Sequence, residues 1–115
     1  MAFSEEELAE HKKLLDLYLE AVRPPEKIRP KLDIGYSIED QTIELYEIRP
    51  LWNNPEKILN HPYAKTSWVK VKNRWNVYWR RANLKWHPYE PSPEVSTLGD
   101  FLRIVEDDEY ACFKG

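Results

Sequence analysis

Residues 74–90 read RWNVYWRRANLKWHPYE, and this stretch decides the fold class. It contains three of the chain's five tryptophans, two tyrosines and four lysines or arginines. Read with a period of two, it divides into an apolar set and a basic-aromatic set, as in β-strands that bury one face. We therefore predict two antiparallel strands, over 75–81 and 84–89, that follow a third strand over 65–72.

The pairing of these strands is predicted from the register that collects apolar residues on one face. We prefer the register that places Val69 and Val71 beside Val77 and Trp79, because a turn at 73–74 would mix the two faces.

A tight turn is predicted at Ala82-Asn83, and it sets Trp79 opposite Trp86 on the apolar face. The opposite face then forms a basic-aromatic surface, which is our candidate for binding. It carries Trp68, Lys70, Lys72, Tyr78, Arg80, Lys85, His87 and Tyr89.

Two helices and a hairpin complete the predicted sheet protein. Ser4 and Glu7 form a capping box that begins an N-terminal helix, and Thr97 is an N-cap for a C-terminal helix. Alternating apolar residues predict strands over 32–38 and 43–49, joined by a two-residue turn.

The segment PLWNNPEKILNHPY, residues 50–63, contains three prolines and three asparagines. We predict a loop there, with a helical turn at Pro55–Leu59. Together the elements predict a single α+β domain over 1–115. It is an antiparallel meander of about five strands, with an N-terminal and a C-terminal helix packed on one face.

The charge of the chain is unevenly distributed. Residues 61–90 contain seven lysines or arginines and one acid, a net charge of +6 in a chain whose formal charge is −3. This excludes a wholly basic nucleic-acid-binding protein but leaves room for a basic patch. No apolar run approaches ~18 residues, so we predict no membrane segment. MAFSEEELAE lacks the pattern of a signal peptide. With Cys112 as the single cysteine, a cytoplasmic location is expected.

The sequence shows no catalytic constellation, and we predict no metal site and no cofactor. The three histidines lack metal-ligand spacing, and one cysteine cannot build a zinc site. The enzymatic alternative is a metal-dependent hydrolase that uses Asp33 and Glu47 on paired strands. The predicted register sets these two carboxylates on opposite faces, and an ion pair between Glu47 and Arg49 is the competing explanation. We leave the enzyme question open and lean towards no activity.

Four segments carry a resemblance to a known family: RPPEKIRPKLDIGY (23–36), ELYEIRPLW (44–52), WNVYWRRANLKWHPYEP (75–91) and the final CFKG. Together they resemble the bacterial domain-of-unknown-function family 3024. The resemblance covers nearly the whole chain. It implies a small single-domain bacterial protein with no assigned activity and no cofactor, and it supplies no functional residues to carry over.

We therefore predict a non-catalytic binding or interaction module that uses the basic-aromatic surface. Lysines and arginines would meet acidic groups, and aromatic rings would stack or pack. The partner is open between another protein, a second copy of the chain and a single-stranded nucleic acid, whose bases stack on such rings. A solvated sheet face has the same pattern, so the exposure of Trp68 and Tyr78 distinguishes the hypotheses.

Overall fold

Two helices and one antiparallel sheet make up residues 3–81, 83–108 and 112–113, which the computed structural model describes. Helix α1 spans Glu5–Val22 and helix α2 spans Leu98–Asp107. Between them lie β1 (Asp33–Glu39), β2 (Thr42–Leu51), β3 (Asn54–Val69), β4 (Arg74–Arg80), β5 (Trp86–Pro88) and β6 (Glu94–Val95). The strands follow the order β1-β2-β3-β4-β5, and the short β6 also pairs with β4. The predicted α+β meander with a helix at each end is confirmed.

Both helices begin at the predicted N-caps. The Glu7 N–H donates to Ser4 Oγ at 3.2 Å, and the Ser4 N–H donates to Glu7 Oε1 at 3.1 Å. At α2 the Asp100 N–H donates to Thr97 Oγ1 at 3.1 Å. These bonds satisfy amide groups that have no partner inside a helix. Helix α1 ends just before Pro24 because proline pairs cannot continue the helical hydrogen-bond pattern.

The core lies between one face of the sheet and the two helices. Ile43, Leu45 and Val77 from the sheet are fully buried together with Leu15 of α1 and Phe101 of α2. We call this face of the sheet the inner face and the opposite one the outer face. Both helices direct their buried side chains at the inner face, so neither covers the outer face.

The β1–β2 hairpin has the predicted register. Glu39 pairs with Thr42, which leaves a two-residue turn, and Tyr36 pairs with Leu45. Asp40 adopts a left-handed backbone with φ 53° in this turn. Aspartate tolerates that conformation better than most residues, and it is common in two-residue hairpin turns.

Residues 50–63 belong to a β-hairpin, so the predicted loop with a helical turn at Pro55–Leu59 is wrong. Strands β2 and β3 continue through this segment, with Arg49 paired to Leu59. Within the described residues, β1 pairs with β2 only as far as Ile48, and β4 pairs with β3 only from Ala64 onwards. Residues 49–60 therefore form a two-stranded arm that extends from the main sheet. Each arm strand has one free edge, where a missing proline N–H breaks no ladder bond.

The predicted register of β3 against β4 is also wrong. The chain turns at 70–73, and Trp68 pairs with Trp75. Trp68 therefore lies on the inner face, whereas Val71 is 93% exposed in the turn. Asn73 closes this turn with φ 53°. Burying a tryptophan against Trp75 removes more apolar area from water than burying a valine, which favours the observed register.

The link between β4 and β5 is longer than predicted, and this exchanges the inner and outer side chains of β5. The prediction was a two-residue turn at Ala82-Asn83, but the link runs from 81 to 85. Ala82 itself lies outside the described residues. Trp79 consequently pairs with His87 and not with Trp86. A shift of one residue turns every side chain of a strand to the other face. Trp86 therefore lies on the outer face and His87 on the inner face.

Candidate functional site

The outer face of β3, β4 and β5 carries four residues that we call the basic-aromatic end: Lys65, Tyr78, Arg80 and Trp86. Lys65 is paired with Tyr78, and Arg80 with Trp86. The Lys65 Nζ lies 5.0 Å from the ring centroid of Tyr78 and 4.9 Å from that of Trp86. These distances are within the range of cation–π attraction. One lysine thus holds two aromatic rings beside each other on a face that no described helix covers.

The other end of the outer face is acidic. Glu39, Asp40 and Glu44, which we call the acidic end, line a cavity of about 230 Å³ that Lys65 also borders. Glu44 is the direct cross-strand neighbour of Lys65, and opposite charges at such positions attract each other. The outer face therefore has a positive end and a negative end that meet at this pair.

The structure keeps Tyr78 and Arg80 of the predicted surface on the outer face. For three other members, the face predicted from the sequence was wrong. Trp68 packs against Trp75 with their ring centroids 5.3 Å apart, and His87 faces inward beside Trp79. Tyr89 is only 3% exposed and packs against Phe113. All three errors follow from the two wrong registers, because each shift exchanged the inner and outer faces of a whole strand.

The three remaining predicted residues lie in connections beside the sheet. Lys70 and Lys72 are in the exposed β3–β4 turn, and Lys85 is in the exposed β4–β5 link. The Lys72 Nζ contacts Glu94 Oε1 at 3.1 Å, so its charge is paired within the chain. The role of the eight residues in binding stays a prediction, but they do not form one surface.

Two members of the basic-aromatic end, Lys65 and Trp86, were missed at the level of sequence. The signal that could have found Lys65 is Asn73, because asparagine tolerates the left-handed backbone that closes a turn. A turn that ends at Asn73 starts β4 at Arg74, as observed. Trp86 has no comparable signal, because the length of its preceding link depends on packing.

A separate cavity of about 290 Å³ lies beside the β4–β5 link, lined among others by Arg81, His87 and Cys112. The His87 Nε2 is buried there without a hydrogen-bond partner among the described residues. Burial raises the pKa of the Cys112 thiol, and the nearby Asp108 raises it further. The thiol is thus protonated near neutral pH, which does not favour a nucleophilic role.

The residues of the hydrolase hypothesis are paired with arginines. The Asp33 carboxylate accepts two hydrogen bonds from Arg23, at 2.9 and 2.6 Å, and Glu47 forms an ion pair with Arg49. Because Asp33 pairs with Ile48 in the β1–β2 ladder, Asp33 and Glu47 occupy opposite faces. Among the residues that the structure describes, no three His, Cys, Asp or Glu side chains come together as a metal site. The geometry therefore offers the hydrolase hypothesis no support.

The Arg23–Asp33 pair is expected to make stability depend on pH. The hydrogen bonds from Arg23 hold the pKa of the Asp33 carboxyl below its usual range. A carboxyl with a lowered folded-state pKa contributes stability above its unfolded pKa of about 3.9, and this contribution is lost as pH falls through the folded value. Asp33→Asn should therefore lose less stability than the wild type when urea unfolding is followed from about pH 5 down to pH 2.

The matched control for this experiment is Glu26→Gln, which changes a 90% exposed carboxyl near Arg29. It should leave the acid dependence of the wild type unchanged. Equal acid dependence in the wild type and Asp33→Asn would contradict the role of the Arg23–Asp33 pair.

Nearly the whole chain matches a known protein family. Residues 3–115 match the family model described as Domain of unknown function (DUF3024). The chain belongs to this family. The resemblance read from the sequence is thereby confirmed, and the description of DUF3024 assigns no activity that could be transferred to individual residues. Comparisons with curated proteins and with solved structures gave no match. None of the described helices is both long and apolar enough to cross a membrane.

Proposed function

We propose that this chain is a non-catalytic interaction module that binds a protein through its outer face. The observation that supports this is the division of one face, which no described helix covers, into the basic-aromatic end and the acidic end. Complementary charges across an interface steer association and define its orientation. Arginine, tyrosine and tryptophan are also the residue types that contribute most to interface energies, and the basic-aromatic end contains all three.

The partner that we propose is a second copy of the chain. In this dimer the two outer faces lie against each other, and a two-fold axis runs in the plane between them. The axis is perpendicular to the direction from the acidic end to the basic-aromatic end, so each acidic end lies over the basic-aromatic end of the other copy. The same set of contacts then forms twice, as in other two-fold dimers. Arg80 would approach the acidic end of the second copy, and Glu44 would approach its basic-aromatic end.

A single-stranded nucleic acid is the second candidate for the same face, because Tyr78 and Trp86 supply rings beside two cations. Two features make it the weaker candidate. Lys65 lies over both rings and occupies space that a stacked base would need. Glu44 is the neighbour of Lys65 and would repel phosphates.

Charge reversal provides the test of self-association. One variant, Glu39→Lys with Glu44→Lys, leaves Asp40 as the one acid among the residues of the two ends, and a second, Lys65→Glu with Arg80→Glu, makes both ends acidic. Each variant alone should dimerise at least roughly 100-fold more weakly than the wild type, because opposed like charges cost several kcal/mol. An equimolar mixture should restore dimers, since a mostly basic outer face then meets an acidic one. Light scattering after size-exclusion chromatography at low salt measures the masses.

The matched control for the second variant is Lys12→Glu with Lys13→Glu, which makes the same change of net charge at two exposed positions of α1. It should dimerise like the wild type, and circular dichroism verifies that every variant is folded. A monomeric wild type, or a mixture that stays monomeric, would contradict the second copy as partner. A short single-stranded oligonucleotide that quenches tryptophan fluorescence, with a steep salt dependence, would instead favour the nucleic-acid candidate.

We further propose that the module works in the bacterial cytoplasm. The support is the family resemblance and a single cysteine, which cannot form a disulfide within the chain. Fractionation of cells that produce the tagged protein tests this, and recovery outside the cytoplasmic fraction would contradict it.

A further inference from the structure

A second candidate site lies at the inner side of the sheet, where α1, the β3–β4 hairpin and the start of α2 meet. It is an open pocket of about 250 Å³. This volume is slightly below the ~300–1,000 Å³ of pockets for drug-sized ligands, so the pocket suits a group of few atoms. Its walls are Phe3, Glu7, His11, Trp68, Trp75, Ser96, Thr97 and Leu98.

Half of these lining residues are aromatic, and they are in contact with each other. Trp75 is central, with its ring centroid 5.3 Å from Trp68, 5.7 Å from Phe3 and 5.2 Å from His11. The planes of Trp68 and Trp75 are inclined by 56°. Trp75 is only 4% exposed whereas Trp68 is half-buried, so Trp68 supplies most of the indole surface that a ligand in the pocket can contact. The faces of aromatic rings carry negative potential, which attracts a cation that replaces water against them.

The charges of the lining residues have the same preference. Glu7 carries the negative charge of the pocket wall, and the Ser4 N–H that binds its carboxylate lowers the pKa of Glu7. The capping box also restrains this carboxylate at the mouth. Burial lowers the pKa of His11, so its ring is neutral at neutral pH and does not repel a cation. Lys70 lies near Glu7 outside the lining and reduces the attraction in part.

We propose that this pocket binds a small quaternary ammonium group, held against the ring of Trp68 next to Trp75 and paired with the carboxylate of Glu7. Aromatic rings supply the attraction that a cation without N–H donors can use, and a single carboxylate balances its charge. The proposal is independent of the outer face, with which the pocket shares no residue.

The test is a titration of the full chain with tetramethylammonium chloride, followed by the indole N–H signals in ¹H–¹⁵N NMR spectra. Sodium chloride at equal ionic strength is the salt control. The signals of Trp68 and Trp75 should move and saturate. Trp52, which is 89% exposed in the arm, and Trp86 on the outer face should not follow the same curve.

A neutral analogue of similar shape, 2,2-dimethylpropan-1-ol, separates the cation–π attraction from simple apolar burial. It should bind roughly two- to thirtyfold more weakly, which corresponds to the usual strength of cation–π contacts. Glu7→Gln should weaken binding of tetramethylammonium and leave that of the alcohol unchanged. Glu6→Gln, an exposed carboxyl outside the pocket, is the matched control and should behave like the wild type.

Three outcomes would overturn the proposal: absent shifts at Trp68 and Trp75, equal binding of the neutral alcohol, or unchanged binding in Glu7→Gln. Because Glu7 is on the surface, this variant tests the site without disturbing the core. If tetramethylammonium binds, choline and phosphatidylcholine vesicles distinguish a free ligand from a lipid headgroup.

Discussion

Phe101→Ala is expected to lower the free energy of unfolding by about 3–5 kcal/mol. Phe101 is fully buried on α2 and belongs to the same core cluster as Trp75 and Val77 of β4. Removal of the ring loses its transfer free energy and leaves a cavity that the close-packed sheet cannot fill completely. Urea denaturation followed by tryptophan fluorescence measures the loss, which is large beside the ~5–15 kcal/mol of a typical domain.

Arg103→Ala is the matched control on the same helix. Arg103 is exposed, so its replacement should change the free energy of unfolding by no more than about 0.5 kcal/mol. If both substitutions had equal effects, the loss in Phe101→Ala could not come from packing against the sheet. The pair of variants thus tests whether α2 is held by its buried stripe.

The second large effect is expected for Leu15→Ala, at about 2–5 kcal/mol. Helix α1 has 18 residues, and Leu15 is the one that its packing buries completely. Most of the stability of a protein helix comes from packing of its apolar side and not from intrinsic propensity. Docking of α1 therefore depends strongly on this leucine. Thermal or urea unfolding measures the change, and alanine preserves helix propensity.

Leu17→Ala is the control for this prediction, because Leu17 lies on the same helix and is 56% exposed. The substitution removes the same atoms but little buried area, so we expect a change of about 0.5 kcal/mol or less. A loss at Leu17 as large as that at Leu15 would mean that another surface covers the exposed side of α1.

Local sequence signals predicted the elements whose structure depends on neighbouring residues. Ser4 and Glu7 satisfy each other's backbone groups within one helical turn, and Thr97 does the same for Asp100. The β1–β2 register was predictable because alternating apolar residues on both sides of Asp40 agreed on a single two-residue turn. Each of these choices requires only a few consecutive residues.

The arm at 49–60 and the registers of β3 and β5 could not be predicted in this way. Prolines in the arm are typical of a loop, because proline lacks the N–H that a central strand needs. They are compatible with strands here only because each arm strand has a free edge, and that edge depends on where β1 and β4 end. The turns after Val69 and Arg80 each allowed alternatives that differ by an odd number of residues, and such differences exchange the two faces of a strand. Both Trp68 and Trp86 therefore lie on the face opposite to the predicted one.

The sequence by itself determined the α+β class, the two capped helices, the first hairpin and the family. It also placed Tyr78 and Arg80 together, because residues two apart on one strand share a face whatever the strand pairs with. Only the tertiary structure decided that Lys65 and Trp86 join them, and that Trp68 enters a pocket with Phe3 and His11. Those neighbours come from different strands and helices, and their positions depend on which packing buries the most apolar area around one core.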